Sequence, residues 1–424
     1  MFWSRVVIAV VAGAVGAALV NRGVAVFHDG LRAALPERMA GRMARREFLS
    51  LSSGMSLGLL LGFGLPFSLA TGILLNHLLW LGTDLIGARF AAPWDGARGR
   101  GLASLAGAAL AGGLYGGLLL AGLDGFGRLA EQAPVGLATA REVLLAPIVA
   151  ILTAFPAVAA AYQYGVWSGA ILLLLTVVAR LAVGLWALPQ PDLWALGAGL
   201  AGFLVVAVRA GRGQTPAGNL VPLRGEAQAR VRRHLPAIAL LGAVYGLACN
   251  QALMMEGPQS LVALADGQRG LALLLSAVRG LCFTPAKAMS ALAGGVFAMD
   301  GYGLVATAGL AAPNALSAAL AGAAVMSVEA LSVGAVARLV GRFPALLAAI
   351  DGLRTGLART LEVGALVGGL AAAQQVSPGL GLAAAAGLYL LNEAAGTPVV
   401  RAAAGPAAAL VVWAGANLVA VFMG

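Results

Sequence analysis

The sequence is poor in charged residues, cysteine and histidine, and these shortages exclude several classes of protein. Only 10% of its 424 residues are charged, whereas a soluble globular protein carries about 25%. Its two cysteines and three histidines lack the close spacing of a zinc site or a disulfide framework. Its single lysine, Lys287, lies outside any P-loop motif. We therefore predict no catalytic residue, no cofactor and no metal, and we do not expect an enzyme.

Apolar residues dominate what is present. They make up 60% of the chain, far more than the core of a soluble domain can bury, and the mean hydropathy is +0.91. This composition predicts an all-α, polytopic helical membrane protein. We place about 12–14 transmembrane helices, each about 20 residues long. The predicted spans lie near residues 5–26, 49–69, 72–90, 101–122, 142–161, 166–187, 193–209, 235–255, 270–286, 288–311, 315–337, 361–377, 380–398 and 403–423.

The positive charge predicts the orientation of these spans. Most arginines fall in loops that share one side, with turns at Lys287 and Arg401. These loops are 21–47, 89–100, 209–233 and 338–359. Because cytoplasmic loops collect arginine and lysine, we expect this side to face the cytoplasm. Nucleic-acid binding is not expected, since no soluble domain interleaves basic and aromatic residues.

The spans divide into two membrane halves, residues 1–209 and 235–424, joined by a basic cytoplasmic linker at 210–234. With seven spans in each half, the two halves would enter the membrane from opposite faces, as in the inverted repeats of secondary transporters. Prolines that interrupt the later spans favour broken helices. Three matches between the halves support a 7+7 repeat, although chance also produces matches in so Ala- and Gly-rich a chain. They are Pro66 with Pro285, Glu142 with Glu362, and Asp84 with Asp300.

Glycines that recur every four residues form a second pattern. Gly112 with Gly116 and Gly242 with Gly246 are two examples. Such faces let helix backbones approach closely within lipid. We therefore predict tight helix packing at these positions.

Charged residues inside the spans are the candidates for solute or ion binding, because a charge at bilayer depth costs a few kcal/mol. Glu329 ranks first, since it lies in the middle of a span. We expect Arg279 either to bind an anionic solute or to pair with Glu329 or Asp84. Asp84 is either a coupling carboxylate or a helix cap. Thr83 and Thr284 are their polar neighbours.

Two further segments carry candidate residues. Asn392 and Glu393 precede Gly396 and Pro398, a pattern that predicts either an unwound segment lining a cavity or a plain turn. His28 and Asp29 follow the first span and are placed to line the inner mouth of a pathway.

Several strings resemble the YhfT family of bacterial inner-membrane proteins, in order from about residue 20 to residue 410. They are Val26-Phe27-His28-Asp29-Gly30, Arg45-Arg46-Glu47, Thr83-Asp84, Tyr162-Gln163-Tyr164-Gly165, Gly341-Arg342-Phe343-Pro344, Glu362-Val363, and Leu391-Asn392-Glu393 with Gly396 and Pro398. The resemblance implies a multi-pass membrane protein with a transport role and a small polar metabolite as its solute. It brings no binding residues with it.

Together these patterns predict a secondary transporter for a small polar, anionic organic solute, coupled to H⁺ or Na⁺. Its expected partners are the lipid bilayer, the solute and the coupling ion, and a homodimer is left open. One alternative is a membrane scaffold that recruits soluble enzymes through residues 21–47 and 209–233. Another is a permease driven by a separate ATPase.

Overall fold

The protein is mostly helical in the part that the structure describes. A computed structural model describes residues 2–28, 31, 38, 43–60, 64–90, 101–136, 138–187, 191–211, 225–294, 296–297, 302–340 and 344–423. Over these residues 85% of the structure is helix, with 18 helices and almost no strand. The all-α prediction is therefore confirmed.

The helices and strands fall into two sets along the chain, one before and one after the segment 211–224. The first set is α1 (Phe2–Asn21), α2 (Arg45–Leu59), α3 (Leu65–Thr71), β1 (Leu74–Leu75), α4 (Asn76–Phe90), α5 (Leu102–Gln132), α6 (Ala138–Leu152), α7 (Phe155–Tyr164), α8 (Val166–Leu185) and α9 (Pro191–Ala210). The second set is α10 (Gly225–Arg233), α11 (Leu235–Asn250), β2 (Met254–Met255), α12 (Pro258–Ala265), α13 (Arg269–Gly294), α14 (Tyr302–Ala311), α15 (Ala315–Val340), α16 (Pro344–Val376), α17 (Gly381–Ala394) and α18 (Arg401–Met423).

Six of the described helices are long and apolar enough to cross a bilayer. A seventh span is added if the bent pair α6 and α7, which meet at 43°, counts as one. The predicted span 49–69 overlaps the described helices α2 and α3. The chain is thus a membrane protein, and the total of 12–14 crossings stays a prediction.

Two predicted boundaries are wrong. A turn was expected at Lys287, but α13 continues through Pro285 to Gly294. A proline is tolerated in a membrane helix where neighbouring groups satisfy the freed carbonyl. The segment 338–359 was expected to be a loop, but α16 begins at Pro344. Its charged residues support the helix, since Arg359 and Glu362 form an i,i+3 ion pair of 2.8 Å.

The chain forms two compact units, and each unit contains segments from both predicted halves of the sequence. Unit 1 consists of Met1–Leu60, Phe67–Arg128 and Asn219–Leu339. Unit 2 consists of Leu61–Pro66, Leu129–Gly218 and Val340–Gly424. The predicted halves, 1–209 and 235–424, describe order along the chain and stay predictions.

Unit 1 contains the same arrangement of three packed helices twice. In its first part, α1 packs against α4 and α5; in its second part, α11 packs against α14 and α15. Each part also contributes two extended segments, and these pair crosswise. Ala25 bridges to Phe297, and β1 pairs with β2.

Glycines allow the close helix contacts in both parts of unit 1, as predicted. Gly112 of α5 meets the backbone of Gly13 on α1. A Cβ on Gly242 of α11 would lie 2.5 Å from the carbonyl oxygen of Gly322 on α15. Because no real Cβ comes so close to an oxygen, any other residue at 242 would push these helices apart.

Unit 2 is organised around its longest helix, α16, which packs against α6, α7 and α18. Gly368 of α16 meets the backbone of Leu144 on α6. The turn after α5 is held by α18, because the Trp413 indole N–H donates to the Val135 carbonyl at 2.7 Å.

Candidate solute-binding site

The buried polar groups of unit 1 gather where its helices are interrupted. Strands β1 and β2 run parallel, with Leu75 opposite Met255, and all of their residues are buried. Asn76 and Glu256 directly follow these paired residues. Because parallel strands end at the same edge, the backbones of Asn76 and Glu256 lie side by side.

Local backbone geometry produces these interruptions. Helix α3 ends before Gly72, at φ 68°, and α11 ends before Ala252, at φ 52°. These left-handed residues turn the chain from helix into strand. The strand backbone is then bonded inside the protein, since Leu74 N–H donates to the Leu253 carbonyl at 3.0 Å and Leu75 N–H donates to Ser68 Oγ at 2.8 Å.

Asn76 is the first residue of α4 and is fully buried. Its Nδ2 donates to the Tyr245 hydroxyl at 3.3 Å. Within the described part of the chain, its Oδ1 has no hydrogen-bond partner. A buried oxygen without a hydrogen-bond partner favours binding of a molecule that supplies a hydrogen-bond donor.

Glu256 and Arg279 form the ion pair of the site. Arg279 Nε lies 3.6 Å from Glu256 Oε1; the carboxylate is 1% exposed and the guanidinium side chain is 23% exposed. Gly257, the residue after Glu256, has φ 79°. A Cβ there would lie 2.9 Å from Cδ of Arg279, so the arginine packs directly on the backbone that begins α12.

Asp84 fixes the segment that carries His28. Its carboxylate accepts the Phe27 N–H at 3.0 Å and the His28 N–H at 2.8 Å. The His28 ring then meets the His77 ring edge-on, with centroids 4.8 Å apart. Asp84, expected as a helix cap or a coupling carboxylate, thus positions a second chain segment beside α4.

The structure brings several predicted residues into this unit. Thr83 is buried and donates to the Trp80 carbonyl at 3.1 Å. Arg279 was expected to bind a solute or pair with Glu329 or Asp84, and the ion pair seen is with Glu256. Glu329 lies partly buried on α15. Asp29, Asp300 and the side chain of Thr284 lie outside the described residues.

Asn392 and Glu393 belong to unit 2. Asn392 holds the turn between α17 and α18, because its amide donates to the Val399 carbonyl at 2.7 Å and accepts the Val399 N–H at 2.8 Å. Glu393 forms an ion pair with Arg401 at 2.9 Å. These contacts hold the segment 392–398 as a turn between α17 and α18.

Glu256 is the residue that sequence reasoning missed. It directly follows a predicted span, whereas Glu329 lies inside one. Predicted depth in the bilayer therefore makes Glu329 the stronger candidate for solute binding. The signal that identifies Glu256 is the string Glu256-Gly257-Pro258 between two apolar runs. A carboxylate before Gly-Pro marks a chain break at a helix start.

These features define a polytopic helical membrane protein whose interrupted helices enclose buried polar side chains. The chain belongs to the YhfT family, described as a protein of unknown function, whose family model matches residues 5–423. It is 30% identical over 404 residues to "Uncharacterized protein YhfT" of Escherichia coli (strain K12), covering 91% of this chain and 90% of that protein. No solved structure matches the chain.

Proposed function

We propose that the protein is a secondary transporter, which moves a small polar, anionic organic solute across the bacterial inner membrane, coupled to H⁺ or Na⁺. One observation carries the proposal: two parallel strands, each followed by the start of a helix, lie buried together in unit 1. Interrupted backbone in a membrane protein is tolerated where it is buried in protein or lines a cavity. Transporters place solute sites at such interruptions.

The charges at the interruption fit an anionic solute. Arg279 supplies the cation, and the first turn of α12 adds N–H donors and the positive end of a helix dipole. Glu256 balances this charge when no solute is bound. The repeated order of parts in unit 1 supports the predicted 7+7 repeat, and the arginine-rich loops support a cytoplasmic orientation.

Reconstitution of the purified protein into liposomes tests the proposal. The liposomes receive a defined mixture of amino acids, hydroxy acids, sugar acids and phosphorylated metabolites, under an imposed H⁺ or Na⁺ gradient. Mass spectrometry then measures their contents. We expect accumulation of at least one anionic solute, lost when an ionophore collapses the gradient.

Two variants and a control locate the site. Glu256→Gln and Arg279→Gln should reduce accumulation at least tenfold, because Arg279 is the proposed cation of the site and Glu256 is the carboxylate of its ion pair. Glu393→Gln removes a partly exposed carboxylate in unit 2 and should accumulate solute like the parent. Parent liposomes that match empty ones under both gradients would refute coupled transport and favour the scaffold or the ATPase-driven permease.

A further inference from the structure

We infer that the coupling ion is a proton and that the imidazole rings of His28 and His77 hold it as a pair. The inference rests on the proposed transport function and names the ion that drives it. Histidine is the side chain whose charge normally changes between about pH 5 and pH 8. The chain has three histidines, and unit 1 brings two of them into direct ring contact.

The contact between the two rings favours a single proton. Their centroids lie 4.8 Å apart, and their planes meet at 90°. Two imidazolium charges at this separation repel each other, so a second proton should bind roughly a hundredfold more weakly than the first. Groups that interact this strongly titrate as a pair and not as two separate residues. One ring therefore binds the proton while its neighbour stays neutral.

Asp84 supplies negative charge beside the pair. It lies two turns after His77 on α4, and therefore on the same face of that helix. Its carboxylate is 1% exposed and accepts the His28 N–H at 2.8 Å. A positive charge on the pair is thus compensated by a buried carboxylate. His28 is buried and His77 is only partly buried, so a proton reaches the pair through His77.

The other titratable groups on the elements around the pair are tyrosines and more distant charges. Tyr115 of α5 donates to the carbonyl of the residue after His77, and Tyr245 of α11 contacts the side chain of the residue before it. The charged groups are Arg5 and Arg22 near the two ends of α1, Arg89 on α4, Glu256 after β2, the exposed Arg45, Arg46 and Glu47 of α2, and the surface pair Asp124–Arg128 of α5. Asp84 is the carboxylate that bonds directly to the segment carrying His28.

Each histidine of the pair lies two residues beyond a junction between the two parts of unit 1. Val26 N–H, two residues before His28, donates to a carbonyl of the second part at 3.0 Å. Leu75, two residues before His77, belongs to β1, which pairs with β2 of the second part. A proton that binds to the pair therefore adds charge next to both junctions. This placement links proton binding to the arrangement of the two parts, as coupled transport requires.

Nuclear magnetic resonance of the purified protein in micelles tests proton binding without requiring transport. The histidine rings are labelled with carbon-13 and titrated from about pH 5 to about pH 9, the range around the normal charge change of histidine. We expect two rings to change together and to take up one proton between them, whereas His234 changes as a single group. His234→Gln removes the separate signal and leaves the shared step in place. The parent protein alone decides this measurement, so it does not depend on the folding of a variant.

Transport by liposomes tests the coupling. The liposomes receive the same defined mixture of metabolites under a pH gradient or a Na⁺ gradient, and we expect accumulation under the pH gradient alone. The double variant His28→Gln/His77→Gln should lower accumulation at least tenfold. It should keep the exchange of isotope-labelled for unlabelled solute at equal pH, because exchange moves no net proton. The matched control His234→Gln, just before α11, should behave like the parent in both assays.

Several results would overturn the inference. Two are rings that titrate independently or not at all, and a double variant that accumulates solute like His234→Gln. Loss of exchange together with accumulation in the double variant and in both single variants would show that the rings only support the fold. Accumulation driven by the Na⁺ gradient alone would overturn the proton as coupling ion and leave the transport proposal in place. Liposomes that match empty ones under both gradients would refute transport itself, and this inference with it.

Discussion

The carboxylate of Asp84 provides the sharpest test of the structure. It accepts N–H bonds from Phe27 and His28, at 3.0 and 2.8 Å to Oδ2. Asp84→Asn can keep one oxygen in that place, but it removes the charge. A hydrogen bond to a charged group contributes about 1.5–3 kcal/mol, and one between neutral groups about 0.5–1.5 kcal/mol. With two such bonds, the variant should lose about 2 kcal/mol of unfolding free energy.

Denaturant titration in mixed micelles, followed by tryptophan fluorescence, measures this loss. The matched control is Asp124→Asn on α5, whose side chain is 35% exposed and pairs with Arg128 at 2.8 Å. The control should change the unfolding free energy by less than about 0.5 kcal/mol, because exposed ion pairs contribute little. If Asp84→Asn is as stable as the control yet transports nothing, Asp84 acts on the solute or the ion and our structural explanation is wrong.

Three further predictions concern packing and turns. Gly242→Ala should lower the unfolding temperature of the protein, since its Cβ would lie 2.5 Å from a carbonyl oxygen, at a cost of about 1–3 kcal/mol. Gly122→Ala, on α5 with open space around it, should leave that temperature unchanged or raise it; equal losses in both would refute the helix contact. Asn392→Ala removes both hydrogen bonds to Val399 and should speed proteolysis at the turn before α18, and an unchanged cleavage rate would contradict this clamp. Trp413→Phe removes a 2.7 Å bond to a backbone carbonyl and should cost about 1 kcal/mol in the denaturant titration; a loss near zero would show that water replaces it.

The sequence predicted those features of the fold that depend on composition and local spacing. Apolar length predicted the long helices, and the four-residue spacing of Gly242 and Gly246 predicted their close packing. Both rules depend on near neighbours along the chain. The same rules failed at Lys287, because α13 passes through Pro285, and whether a proline breaks a membrane helix depends on groups from other helices.

The candidate site was predicted only in part, for a related reason. Arg279 was identified because a charge inside a span is rare. Its partner Glu256 was not, because their contact joins separate segments and depends on the pairing of β1 with β2. Strands of two residues have no periodicity that a sequence reveals. Asp84 was predicted as a helix cap or a coupling carboxylate, but its hydrogen bonds run to the backbone of residues 27 and 28, which side-chain types cannot indicate.

The bridge between Ala25 and Phe297 has a consequence for synthesis of the chain. Val26 N–H donates to the Phe297 carbonyl at 3.0 Å, and Phe297 N–H donates to the Val24 carbonyl at 2.8 Å. A ribosome makes residue 26 long before residue 297, so the first segment stays without this partner while most of the chain enters the membrane. Non-local pairing of this kind is slow to form, and unsatisfied backbone groups are costly in lipid. During biogenesis the N-terminal segment must therefore be held near water, or by an insertion factor, until the second set of helices arrives.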